Sequence, residues 1–237
     1  YTAVIRHRGI ADAVDHSGRI VSHYRLLQCV HRNRWHSAFE AECTNSNRAV
    51  TILLASRAIV DDPKRKERVL RDARISAGMD HPNVAPVFDI EDTSAGLLVV
   101  EGRTKAPTLA QRVFVSPLTP SETLEFARQL MSGITAGHRL GIAHGDLRPK
   151  TVSVEHDPAS GIVKRVRITS FVRSSLMRLD DSQSVDPAED VRSFAEHVLY
   201  SVTATAAGDQ EIDQIQSIPS HISEPLRHVL IQTIQQG

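Results

Sequence analysis

Apolar and polar residues alternate loosely over Tyr24-Arg25-Leu26-Leu27-Gln28-Cys29-Val30, which predicts a strand. Trp35 to Cys43 predicts its return partner, with Ala38, Phe39 and Ala41 at apolar positions. A polar turn, Thr44 to Arg48, leads into the β-branched run Ala49-Val50-Thr51-Ile52-Leu53-Leu54, a buried strand. Asp61-Asp62-Pro63 reads as a helix start, and Leu70, Ala73 and Ala77 predict the buried stripe of a helix over 63–78. Leu97 to Glu101 predicts a further strand. Thr119-Pro120-Ser121-Glu122 is a capping box, opening a helix expected to bury Leu124, Ala127, Leu130, Met131 and Ile134. Val152-Ser153-Val154, a turn over 157–161 and the alternating Val163 to Ile168 predict a hairpin. A helix follows over 187–200. After a polar loop at 205–216 comes another, carrying Leu226, Val229, Leu230 and Ile234. Residues 1–21 show no period and read as an extension or linker.

Bulk composition narrows the function classes. The 237 residues carry 28 Lys plus Arg against 28 Asp plus Glu, so no global field would draw nucleic acid or an anionic membrane. The basic alternation at Lys164, Arg165 and Arg167 is short and lacks aromatic neighbours, so no nucleic-acid partner is expected. No apolar run approaches the ~20 residues of a membrane span. No signal peptide is visible, and Tyr1 in place of Met fits a piece of a longer chain. Cys29 and Cys43 read as reduced thiols of one hairpin, Cys29 opposite Ala38 and Cys43 opposite Tyr24, too far apart to bridge. That suits a cytoplasmic domain, or the cytoplasmic part of a membrane-anchored protein. The twelve histidines are scattered. The close pairs His31 with His36 and His138 with His144 lack a Cys or carboxylate at ligand spacing, so no metal is expected.

One stretch carries the candidate chemistry: Gly141-Ile142-Ala143-His144-Gly145-Asp146-Leu147-Arg148-Pro149-Lys150-Thr151. It resembles the protein-kinase catalytic loop H-R-D-L-x-x-x-N, with His144, Asp146 and Leu147 in place. Gly145 stands for the Arg, and Thr151 for the metal-binding Asn. Other segments resemble the same family in order. His81-Pro82-Asn83-Val84 with Asp89 matches H-P-N-I-x-x-x-x-D. Leu70-Arg71-Asp72-Ala73 is similar to L-R-E-A, which puts Asp72 at the ion-pairing Glu. Asp190-Val191-Arg192-Ser193-Phe194 resembles D-V-Y-S-F, and Asp190 matches the acid that braces the catalytic loop. Glu101-Gly102-Arg103 would form the hinge.

The resemblance implies a two-lobed α+β protein-kinase-like fold of the bacterial serine/threonine type. The small lobe, 22–101, would hold antiparallel strands and one helix. The large lobe, 102–237, would be mainly helical and end before the family's last helices. It also implies losses. Thr51 takes the place of the phosphate-holding Lys, and Ser170 that of the metal-binding Asp of D-F-G, with Phe171 kept and Val172 for Gly. The glycine-rich-loop positions fall on His31, Asn33 and His36. Arg32, Arg34, His31 and His36 could instead hold an anion, or form a solvated basic tip with Trp35 folded inward. From Ser170 to Asp190 is 20 positions, without A-P-E, where active relatives have roughly twice that. The expectation is a catalytically inactive pseudokinase that binds protein partners, with Asp146 a vestigial base and no cofactor. The alternative is an atypical serine/threonine kinase that binds ATP without magnesium and keeps residual phosphotransfer.

Overall fold

The computed structural model describes residues 18–157, 159–177 and 186–204, with Glu224, Arg227, His228 and Ile231. Among these residues the strands are β1 (Ile20–Val21), β2 (Tyr24–Arg32), β3 (His36–Cys43), β4 (Ala49–Ala55), β5 (Val87–Thr93), β6 (Gly96–Gly102), β7 (Val152–His156) and β8 (Val163–Ile168). The helices are α1 (Arg57–Val60), α2 (Pro63–Ala77), α3 (Leu109–Val115), α4 (Pro120–His138), α5 (Val172–Met177) and α6 (Pro187–Thr203). The chain divides into two compact units that interleave along the sequence, where contiguous lobes of 22–101 and 102–237 are the expectation. The first draws on Tyr1–Gly78, Pro86–Thr104 and Val172–Gln183, the second on Met79–Ala85, Lys105–Phe171 and Ser184–Gly237.

In the first unit six antiparallel strands run in the order β1-β2-β3-β4-β6-β5. Alternation along β4 sorts its side chains to two faces. Val50, Ile52 and Leu54 join Leu26, Phe39, Leu98 and Val100 on one. Leu53 and Ala55 join Ala38, Leu97 and Val99 on the other, against Ile59, Val69 and Ala73 of the helices and Val172 and Leu176 of α5. The sheet curls until its ends meet, and the Tyr24 hydroxyl donates to Asp89 Oδ2 of β5 at 3.3 Å.

Local departures from the sequence expectations have local causes. Ile20 and Val21, expected within an extension, pair with β2, and two residues are too few to display a period. Bulges in β2 shift its register, so Cys29 lies opposite Phe39 and not Ala38, while Cys43 does face Tyr24. Both thiols are free and partly buried. Helix α2 starts as its sequence indicates, with the Asp62 side chain accepting from the backbone of Lys64 and Arg65 and Pro63 at the first turn. Its buried stripe, however, runs through Val69, Asp72, Ala73 and Ser76, and Ala77 is exposed. In α4 the phase is also displaced: Phe126, Ala127, Leu130 and Ile134 are buried while Leu124 is 63% exposed.

The second unit packs α3, α4 and α6 with the β7–β8 hairpin around Leu109, Phe126, Leu130, Ile134, Val154, Val166, Phe171 and Val198. The capping box at Thr119 and Glu122 is formed, and a second one, Thr108 with Gln111, opens α3. The His-Pro-Asn-Val segment is tied down by buried amides. Asn83 Nδ2 donates to Gln129 Oε1 at 2.8 Å and to the Val166 carbonyl at 2.7 Å, and Gln129 Oε1 also accepts from Val166 N at 2.7 Å. The expectation for Leu226, Val229, Leu230 and Ile234 lies outside the described residues.

Phe171 is fully buried and lies on α4 where that helix has Gly137, whose added Cβ would stand 2.1 Å from a ring carbon. Alanine gains up to ~1 kcal/mol of helix preference over glycine. Overpacking costs ~1–3 kcal/mol, and at this distance the ring must move. Gly137→Ala is therefore expected to lower the melting temperature by a few degrees, and Phe171→Leu in the same chain to recover part of the loss, measured by thermal denaturation of both variants.

Candidate functional site

The residues singled out by the sequence fall into two groups, one in each unit. In the first unit the β2–β3 hairpin tip carries His31, Asn33 and His36, the positions that the resemblance to kinases sets at a glycine-rich loop. Asn33 Oδ1 accepts from the backbone N–H of Trp35 at 2.8 Å and of His36 at 2.9 Å. These are N–H groups of the kind a glycine-rich loop turns toward phosphate. Here a carboxamide of the same loop engages them. Trp35 is partly buried against the core, with the Arg34 and Arg65 guanidinium groups 4.4 and 5.0 Å from its ring, and His36 is fully buried. The tip thus has the basic, Trp35-inward arrangement.

Thr51 on β4 is paired across the sheet with Glu40 of β3 and Glu101 of β6, so the three share one face. No ammonium group stands at 51. One cation meeting this face comes from far along the chain. Arg173, on α5, places Nη2 3.3 Å from Glu101 Oε2, and both side chains are buried. Beside it Ser175 Oγ donates to Asp72 Oδ2. Asp72 also receives Arg71 Nε at 3.0 Å. The sequence suggests a surface acid or a local acceptor for Asp72. At 3% exposure it is not a surface acid; it is a local acceptor, from the adjacent Arg71, and a distant one, from Ser175, 103 residues away. Of the other hinge residues, Gly102 N donates to the Pro86 carbonyl at 2.8 Å and Arg103 pairs with Glu40 at 2.6 Å.

In the second unit the loop 141–151 is built on Asp190, near the start of α6. Its carboxylate, 1% exposed, accepts from His144 N at 2.6 Å, Gly145 N at 2.8 Å and His138 Nε2 at 2.8 Å. Gly145 has φ +61°, a left-handed conformation that glycine adopts without a Cβ penalty. That is a local reason for glycine at this position. His144 accepts from Asp146 N on Nδ1 at 3.3 Å, so its Nε2 carries the proton and donates to Thr169 Oγ1 at 3.2 Å. Its ring meets Phe171 edge-on at 5.3 Å.

Asp146 is buried and gripped by Arg148, Nε on Oδ1 at 2.8 Å and Nη2 on Oδ2 at 2.9 Å. Thr151 turns its hydroxyl into the loop, accepting from Arg148 N at 2.9 Å and lying 3.0 Å from the carbonyls of Asp146 and Arg148. Ser170 is fully buried. Sequence reasoning passed over Arg148, Arg173 and Ser175. Arg148 had a signal, two residues after the Asp and just before a Pro. The other two are joined to their partners only by the fold.

This geometry has consequences for stability. Removing one partner of a buried ion pair costs ~3–5 kcal/mol. Arg173→Met should fall in that range by urea denaturation, and the double variant with Glu101→Gln should recover most of it. A pH dependence is also expected. Burial holds the His197 imidazole on α6 below the ordinary histidine value, against the Ser193 and Arg148 backbone groups that favour its charged form. Burial and Arg139 lower His81 likewise. The unfolded chain then binds more protons below about pH 6.5. Stability is full above that pH and declines as pH falls through about 6.5 toward 5. Melting curves over this range should show the decline, and His197→Gln should flatten it.

No family model matches the chain. Among curated proteins it is 30% identical over 144 residues to the serine/threonine-protein kinase PknE of Mycobacterium tuberculosis, covering 59% of this chain and 25% of PknE. It is 27% identical over 149 residues to the serine/threonine-protein kinase PknD of the same species, covering 61% of this chain and 22% of PknD. The match therefore spans about a quarter of the length of these relatives. Among solved structures, the kinase domain of Mycobacterium tuberculosis PknI superposes with a TM-score of 0.61 at 14% identity, over 94% of this chain and all of that one. A variant of that domain with one cysteine replaced by alanine gives 0.64 at 15%, over 94% of this chain and 99% of that one. The chain is thus similar in sequence, over about three fifths of its length, to mycobacterial serine/threonine protein kinases, and it has the fold of a kinase domain.

Proposed function

We propose that the domain is a pseudokinase, a kinase-shaped module that works by binding protein partners and transfers no phosphate. The observation that carries this reading is the inward use of Thr151. Its hydroxyl closes the loop on Arg148 N and on the neighbouring carbonyls, at the position where the family has a metal-binding carboxamide. Other features support it. Ser170 offers a buried hydroxyl in place of a carboxylate, Asn33 fills its own hairpin N–H groups, and Thr51 brings no charge. These residues do not fit magnesium-ATP, a hard cation and a triphosphate that need carboxylate oxygens and a Lys.

Magnitude favours the same reading. Phosphoryl transfer is mainly positioning and electrostatics. Loss of one well-placed electrostatic contact costs ~3–4 kcal/mol of transition-state stabilisation. Here several are missing together, while a general base alone supplies ~10²–10⁴ in rate. Asp146 would also have to give up Arg148 to act as one.

The test is incubation of the domain with magnesium and labelled ATP, alone and with a generic protein acceptor. No incorporation above the Asp146→Asn variant is expected. Incorporation that this substitution abolishes would overturn the proposal. A thermal shift with ATP in EDTA, without phosphotransfer, would mark a nucleotide-binding pseudokinase.

A further inference from the structure

Spacing along the chain hides a group that the curl of the sheet assembles. His23 lies in the turn between β1 and β2, and Asp89 and Glu91 stand two apart on β5, at the far end of the strand order. Their ligand atoms lie within 4.8 Å of one another. His23 Nε2 is 3.9 Å from Asp89 Oδ2 and 3.6 Å from Glu91 Oε1. We propose that His23, Asp89 and Glu91 form a binding site for a divalent first-row transition cation, which fastens the turn before β2 to the edge strand β5.

Three independent features point to a cation. The imidazole is already oriented: Ser22 Oγ lies 2.9 Å from Nδ1, which directs Nε2 at the carboxylates. This is the outer hydrogen bond typical of a metal-bound histidine. Next, Glu91 Oε1 is shielded from solvent and takes no hydrogen bond. Its one polar neighbour within ion-pair distance among the described residues is His23. Last, Asp89 is positioned, its Oδ2 accepting from the Tyr24 hydroxyl at 3.3 Å. Asp89 Oδ1 is fixed by Ile90 N at 2.8 Å, which leaves Oδ2 directed inward.

The donor set selects the metal. One imidazole and two carboxylates suit zinc or manganese; magnesium and calcium prefer oxygen alone. Bonds of roughly 2.0–2.2 Å put neighbouring ligand atoms roughly 3.0–3.5 Å apart, so the three side chains must draw together by up to about an ångström to close the set. His23 and Asp89 are partly exposed, which gives an ion a path in and leaves room for water ligands. None of the three residues stands at a position of kinase phosphate chemistry, so the site is separate from the proposed function.

The experiment uses the whole chain, stripped with EDTA and dialysed, titrated with zinc by calorimetry and followed by thermal melting. One high-affinity zinc, a melting temperature raised by a few degrees, and little response to magnesium are expected. His23→Ala and the isosteric Glu91→Gln should each weaken that binding at least about tenfold. His31→Ala, removing a histidine at the other end of β2, should leave it unchanged. Far-UV circular dichroism in EDTA checks that the variants fold. Absence of zinc binding, or equal affinity in wild type, His23→Ala and Glu91→Gln, would overturn the proposal.

Discussion

The loop of the second unit depends on one buried carboxylate. Asp190 has left water, and three hydrogen bonds offset that loss: two from successive backbone N–H groups of the loop and one from His138. Charge-assisted bonds of this kind are about twice as strong as neutral ones. None of these three bonds uses the Asp146 or Thr151 side chain; the Thr151 hydroxyl secures the far end of the same loop. The brace at His144 and Gly145 is therefore independent of the side chains at 146 and 151, because it is made to backbone N–H groups.

The polar groups that remain are turned on one another. Arg148 grips Asp146, Arg173 meets Glu101, Ser175 donates to Asp72, and Asn33 occupies its own hairpin. An incoming ligand would first have to break such contacts, and each typically costs ~1–3 kcal/mol to leave unmade when buried.

How far the sequence carried depended on the range of the interaction. The capping box at Thr119, the Asp62-Pro63 start and the β7–β8 hairpin are local, and they were readable. The box at Thr108 and Gln111 has the same signature but was missed, because it opens a helix of only seven residues with little periodicity. The phase of α2 was misjudged because its buried face carries Asp72 and Ser76, polar residues that a hydrophobic pattern cannot include. Bulges moved Cys29 by one partner for the same kind of reason, since register is set by backbone detail that composition does not record. The family motif located His144, Asp146 and Asp190. It could not show what Arg173 or Ser175 does, because their partners are far away in sequence.

The Arg173–Glu101 pair has a purpose that stability does not supply. A buried ion pair is about as good as, or worse than, a well-packed apolar substitute of the same volume. Val172 and Leu176 already seat α5 in the apolar core. Apolar contacts alone, however, tolerate a helix sliding or turning in its groove, because they carry no direction. A guanidinium and a carboxylate separated from water allow one alignment and penalise the rest. The serine bonded to Asp72 adds a second fixed point two residues along. With two such points on a six-residue helix, its register is determined, and α5 becomes a fixed part of the first unit.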